Sequence, residues 1–163
     1  MQVGNILLCP LKLIFYTGVA LKNWCYDAGI CSKLTLNIPV ISIGNITFGG
    51  TGKTPMVIHL CEKLKQEGYR PAVISRGYKR KSNSLVVVHD GNSTIANGND
   101  SGDEPYLMGM ELNSIPIIVS ENRIAGIEEM LAGYSVDIVI LDDAFQHRQV
   151  KRNMDMVMIS AYD

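Results

Sequence analysis

The sequence predicts an α/β fold: a parallel sheet with helices on both faces, preceded by an apolar helical segment over residues 1–35. Three observations point there. Short apolar runs, of which 136–141 is the plainest, read as strands buried on both sides. Segments with apolar residues at helical spacing alternate with those runs. A glycine-rich turn joins a strand to a helix near residues 44–54, as in a parallel βαβ unit. The 163 residues are 47% hydrophobic and 19% charged, which supplies a core and excludes a disordered chain. Residues 36–163 are expected to form one domain.

Charge and cysteine content narrow the classes further. Fifteen Lys+Arg against 16 Asp+Glu give a formal net charge of −1. No basic field is available to displace counterions from a nucleic acid, so no nucleic-acid partner is expected and anion recognition must be local. Cys9, Cys25, Cys31 and Cys61 contain no CxxC pair, which reads as reduced thiols facing the cytoplasm. Lys12 and Lys22 interrupt the apolar stretch 6–26, leaving less than the ~20 residues a membrane span needs. Asn23-Trp24-Cys25 is a poor cleavage site for a signal peptide. What remains is a helix after Pro10, lying either in a membrane interface with its lysines toward headgroups or against the domain's own sheet.

Element by element, 39–43 is a β-branched strand ending at Gly44, and 55–66 is a helix. In that helix Val57, Leu60, Cys61 and Leu64 share a face, with Pro55 in the first turn, where its missing N–H costs nothing. Gly68 stops it and 71–75 is the next strand. Residues 85–89 read as a strand and 90–102 as a polar loop. Then follow a helix over 104–112, a strand over 115–119, a helix over 122–131 with Ile124, Ile127 and Leu131 on one stripe, and strands over 136–141 and 154–160.

The segment Gly49-Gly-Thr-Gly-Lys-Thr54 sits between a strand and a helix, the place where backbone N–H groups and a helix N-terminus cradle phosphates. Lys53 would reach the β- and γ-phosphates and the Thr54 hydroxyl would ligate Mg²⁺. A strict G-x-x-x-x-G-K-[ST] pattern needs glycine where this chain has Thr47, so it is a variant P-loop, and the fold is P-loop NTPase-like. The strand before Asp142-Asp143 ends in two carboxylates, as a Walker B partner holding the metal requires. No Asn-Lys-x-Asp motif is present to read guanine.

Two clusters suit a substrate. Ser75-Arg-Gly-Tyr-Lys-Arg-Lys81 follows the second strand, and Gln146, His147, Arg148, Lys151 and Arg152 follow the carboxylate strand, together an anion clamp or solvated basic turns. Asp103, in Gly102-Asp-Glu-Pro105, is either an N-cap or a carboxylate that accepts the proton of an attacking hydroxyl. Arg123 opens a helix, where it is either an exposed helix residue or a neutraliser of charge on a transferring phosphoryl.

In this order the motifs resemble the tetraacyldisaccharide 4′-kinases, the lipid A kinases of Gram-negative bacteria. The resemblance is carried by Val40-Ile-Ser-Ile-Gly-Asn-Ile-Thr-Phe-Gly-Gly-Thr-Gly-Lys-Thr-Pro55, Ser75-Arg-Gly-Tyr78, Gly102-Asp-Glu-Pro105 and Leu141-Asp-Asp-Ala-Phe-Gln-His-Arg148. It implies ATP- and Mg²⁺-dependent phosphoryl transfer to the 4′-hydroxyl of a lipid A disaccharide 1-phosphate at the cytoplasmic face of the inner membrane, with the N-terminal helix associating peripherally. It also implies that Thr47, Phe48, Gly49, Gly50, Thr51, Gly52, Lys53 and Thr54 hold the nucleotide and that Thr54, Asp142 and Asp143 serve the metal. Asp103 would be the base, with Lys53, Arg123, Gln146 and His147 in the catalytic surroundings, and Arg76, Tyr78 and Lys79 would face the substrate. Family members are about twice as long, so a second, smaller lobe with a histidine assisting the base is expected to be missing here. A non-catalytic nucleotide-binding remnant is the alternative.

Overall fold

The computed structural model describes residues 9–46, 51–78, 80 and 84–159, with side chains from residue 16 onward. Of the positions singled out above, Thr47, Phe48, Gly49, Gly50, Lys79, Lys81, Ser160 and the side chains of Cys9 and Lys12 lie outside the described residues, as do residues 1–8.

The chain divides into two units, Met1–Lys33 and Leu34–Asp163. The first holds helix α1 (Cys9–Asp27), closed by the Ala28 N–H donating to the Trp24 carbonyl at 2.8 Å and the Ile30 N–H to that of Cys25 at 2.9 Å. Tyr16, Leu21 and Trp24 on this helix, and Ile30 after it, are exposed. No helix among the described residues is long and apolar enough to cross a membrane.

The second unit runs β1 (Val40–Asn45), α2 (Lys53–Gln66), β2 (Pro71–Ser75), β3 (Val86–His89), α3 (Gly98–Ser101), α4 (Asp103–Glu111), β4 (Ile117–Val119), α5 (Arg123–Gly133), β5 (Ile138–Asp142) and β6 (Met154–Met158). The strands form one six-stranded sheet ordered β3-β4-β2-β5-β1-β6. Every residue of β2, β4 and β5 is buried, the expected state for apolar strands covered on both faces. Side chains alternate between two core clusters. Ile43, Val73 and Ile140 join Val57, Cys61, Met108 and Leu112 beside α2 and α4, while Ile74, Val139 and Leu141 join Ile127 and Met130 beside α5.

Neighbouring strands pair in parallel except β3, which runs antiparallel to β4 at the sheet edge. A parallel return needs a crossover of about a dozen residues or more. The shorter connection from β2 carries no described helix, and β3 returns in the opposite sense. Within the stretch read as a polar loop, the Asn97 side chain accepts from the Asp100 N–H and caps the short α3. The stripe on α5 is also shifted: Gly126, Ile127 and Met130 are buried with Arg123, whereas Leu131 is 39% exposed.

Ile140 has both neighbours in the sheet and no exposed surface. Ile140→Ala is expected to lower unfolding free energy by about 2–5 kcal/mol in urea titrations, while Leu131→Ala should cost a small fraction of that.

Candidate nucleotide and phosphoryl-transfer site

The polar residues of the motifs gather where the parallel strands end. Along the β1–β5 ladder Ile43 pairs with Asp142, and along β2–β5 Ile74 pairs with Leu141. Asp142 therefore emerges between the last turns of β1 and β2, at the edge where open α/β sheets bind ligands. Helix α2 begins at the same edge, with Gly52 as N-cap in the left-handed region at φ 79 and Lys53 as first helical residue. Lys53 Nζ lies 3.6 Å from Asp143 Oδ1, and the side chain of Thr54, next along α2, is buried. Asp143 itself has φ 50, a conformation that aspartate adopts more readily than bulkier residues.

Asp142 is 1% exposed. Ser75 Oγ donates to its Oδ2 at 2.7 Å, and its Oδ1 is buried with no hydrogen-bond partner among the described residues. Burial pushes the carboxyl up to about 6, with Glu104 and Asp143 adding repulsion, while the Ser75 hydrogen bond and Arg123 act the other way. Arg123 is completely buried. Its Nη1 donates to the Ser120 carbonyl at 2.6 Å and its Nη2 to the Asp142 carbonyl at 3.0 Å. Burial brings its guanidinium down to about 10, with Asp142 and Asp143 opposing the fall and Arg76 and Arg80 adding to it. Arg123 is thus not an exposed helix residue but a buried brace between the ends of β4 and β5.

A hard divalent cation that keeps its waters and binds phosphate needs only one or two carboxylates and a hydroxyl from the protein. The orphaned Asp142 Oδ1, with Asp143 and Thr54 at the same edge, fits that requirement. No cage of three or more His, Cys, Asp or Glu residues is found among the described residues.

The second substrate-type motif folds against the third. Gly77 has φ +72, and a side chain there would collide with Val119 and come within 2.7 Å of the Ser101 carbonyl. Gly102 has φ +89, and a side chain there would come within 2.9 Å of the Tyr78 carbonyl. The turn after β2 and the start of α4 therefore touch backbone to backbone, which only glycines permit. Gly102, not Asp103, holds the N-cap position of α4, and Asp103 is its exposed first residue. Arg76 is exposed and Tyr78 is 66% exposed at this edge. In the turn after β5, Gln146 is exposed and His147 and Arg148 are half-buried, the His147 N–H donating to the Ala144 carbonyl at 2.9 Å. Arg152 is not part of an anion clamp: its Nη1 donates to the Ala144 and Phe145 carbonyls, each at 3.0 Å, and its Nε lies 3.3 Å from Asp155. Sequence reasoning gave no role to Ser75 or Glu104, both inside its motifs; only the strand register reveals Ser75 as the neighbour of Asp142. A cavity of about 270 Å³ lined by Tyr69, Pro71, Ile115, Pro116 and Tyr134 lies where β2 and β4 begin, away from all of these groups.

The family model for tetraacyldisaccharide-1-P 4′-kinase (LpxK) matches residues 4–163. A tetraacyldisaccharide 4′-kinase of Chlorobium luteolum is 41% identical over 160 residues, an alignment that covers 96% of this chain and 45% of the relative. One of Phocaeicola vulgatus is 42% identical over 164 residues, covering 96% and 43%. The crystal structure of the "apo" form of LpxK from Aquifex aeolicus in complex with ATP superposes with a TM-score of 0.87 at 36% identity, covering 96% of this chain and 49% of that one. The chain thus spans about half the length of the curated relatives it matches.

The raised Asp142 carboxyl has a consequence for stability. An acid whose folded value lies above its unfolded one makes the folded state bind the extra proton, so stability is lost as pH rises from about 4 through about 6. Asp142→Asn is expected to flatten that descent and to raise unfolding free energy above pH 6 by about 1–3 kcal/mol, measured by thermal melts across pH without nucleotide.

Proposed function

The chain belongs to the tetraacyldisaccharide-1-P 4′-kinase family, and we propose that it carries the ATP-binding and phosphoryl-transfer face of such an enzyme, moving the γ-phosphoryl of ATP to the 4′-hydroxyl of a lipid A disaccharide 1-phosphate. The observation that supports this best is the meeting of Lys53, at the head of the glycine-rich loop's helix, with the Asp142-Asp143 strand end. Fold similarity to a kinase solved with ATP agrees with it.

In this reading residues 47–52 offer main-chain N–H groups to the triphosphate, and Lys53 exchanges Asp143 for the β- and γ-phosphate oxygens. Thr54, Asp142 and Asp143 would hold Mg²⁺, which when bound neutralises charge on the phosphates. Asp103 accepts the proton of the 4′-hydroxyl as its oxygen attacks phosphorus and the bond to the bridging oxygen of ADP breaks. Arg123 acts from within the fold: it holds the ends of β4 and β5 and adds a buried positive charge that offsets charge on the transferring phosphoryl at a distance. Arg76, Tyr78 and Lys79 receive the anionic disaccharide, with Gln146 and His147 on the other side of the nucleotide edge. We place the protein peripherally on the cytoplasmic face of the inner membrane, the exposed Tyr16, Leu21 and Trp24 of α1 entering the interface and Lys22 meeting headgroups.

Phosphate transfer from ATP to the disaccharide 1-phosphate, followed by thin-layer chromatography, tests the reading. Lys53→Ala should abolish transfer and weaken ATP binding, whereas Asp103→Asn should lower kcat by about 10²–10⁴-fold with ATP affinity retained. Mg-ATP uptake without any transfer would favour a binding module instead. For α1, Trp24→Ser should reduce co-sedimentation with anionic phospholipid vesicles; equal sedimentation would contradict the interfacial role.

A further inference from the structure

The turn after β2 opens with a residue to which the proposed chemistry gives no part. Ser75, the last residue of β2, is 2% exposed, and its hydroxyl donates to Asp142 Oδ2 at 2.7 Å. The register explains the contact: Ile74 pairs with Leu141, so the next residue on each strand stands beside the other at the sheet edge. Asp142 is held a second time through its main chain, by Arg123 Nη2 on its carbonyl at 3.0 Å. Its backbone is pinned and one carboxylate oxygen is engaged. The other oxygen, Oδ1, is buried and without a partner among the described residues.

A carboxylate turns about its terminal torsion in a broad, two-fold well and by itself offers a cation either oxygen or both. A donor fixed on one oxygen removes that freedom, as partners beyond the metal's own ligands commonly do. We propose that Ser75 is a positioning residue for the divalent ion of the metal–ATP complex: by holding Oδ2 it sets the rotation of the Asp142 carboxylate, so that Oδ1 alone is presented to the cation. The inference rests on the kinase reading above. It also links two motifs, because Ser75 is joined directly to Arg76 in the turn assigned to the substrate.

Mn²⁺ serves as the probe, bound with ATP and followed by electron paramagnetic resonance. Ser75→Ala should weaken Mn²⁺ binding in the presence of ATP by roughly 10- to 100-fold. Its affinity for ATP in EDTA should stay near that of the wild type, while its melting temperature falls by a few degrees because a buried carboxylate loses its donor. Ser75→Thr, which retains a hydroxyl, should recover most of the Mn²⁺ affinity. Unchanged Mn²⁺ binding in Ser75→Ala overturns the proposal, and so does an equal loss of ATP affinity in EDTA, which would mark a general disturbance of the fold. If the alanine variant does not fold, Ser75→Cys carries the same comparison, since it keeps the shape with a much weaker donor. A wild-type chain that takes up neither ATP nor Mn²⁺ would sink the kinase reading itself, whereas a silent Ser75→Ala sinks this inference alone.

Discussion

A carboxylate buried at the junction of three strands is the constraint around which this edge of the sheet is built. Taking the charge of Asp142 out of water costs free energy that no single hydrogen bond restores. Three elements share the compensation. Ser75 comes from the end of β2, Arg123 from the first turn of α5, and the chain direction of β5 places the residue between β2 and β1. Put β1 between β2 and β5 and the hydroxyl no longer meets the carboxylate. The same residue thus ties the topology of the sheet to the chemistry of its edge, and the cost of burying it is borne in the fold rather than at the moment of binding.

From that anchor the remaining groups are positioned by backbone contacts. The turn after β2 carries Arg76 and Tyr78, and its backbone rests on that of Ser101 and Gly102, immediately before Asp103. The groups proposed to receive the substrate and to accept its proton are therefore held at a fixed separation by two glycines in contact, not by flexible side chains. Such an arrangement preorganises reacting groups on a rigid support. Arg152 plays a comparable part on the other flank, donating to two carbonyls of the turn that carries Gln146 and His147.

What the sequence made legible follows from what local pattern encodes. The apolar runs of β2, β4 and β5, the helix after the Gly-Lys-Thr and the carboxylates at a strand end were readable because period and residue type are local properties. The sense of β3 was not, since a β-branched run carries no direction and the connecting length decides it. On α5, Ile127 is buried and Ile124 packs on the core as the stripe predicts, but Met130 and Arg123 take the buried place expected for Leu131, and an arginine is buried only when carbonyls elsewhere in the fold receive it. Asp103 looked like an N-cap because aspartate commonly is one, yet the tight contact with Tyr78 reserves that position for Gly102. The part played by Ser75 lies in the β2–β5 register, a non-local quantity that its place in a motif does not encode.

The two cations at this edge differ in how readily they can be redirected. Arg123 has no exposure, and two of its donors are committed to main-chain carbonyls, so moving it would unpair buried groups at a cost of several kcal/mol. Lys53 faces Asp143 at 3.6 Å, its own side chain 14% and the carboxylate 42% exposed. Its one ion-pair partner is thus open to water, so in the proposed reaction the lysine can turn to an arriving phosphate while the arginine keeps the carbonyl of Asp142 where it is. A fixed charge below and an exchangeable one above form a gradient of commitment. In the proposed function that gradient would let the edge accept a polyanion without rebuilding its own foundations.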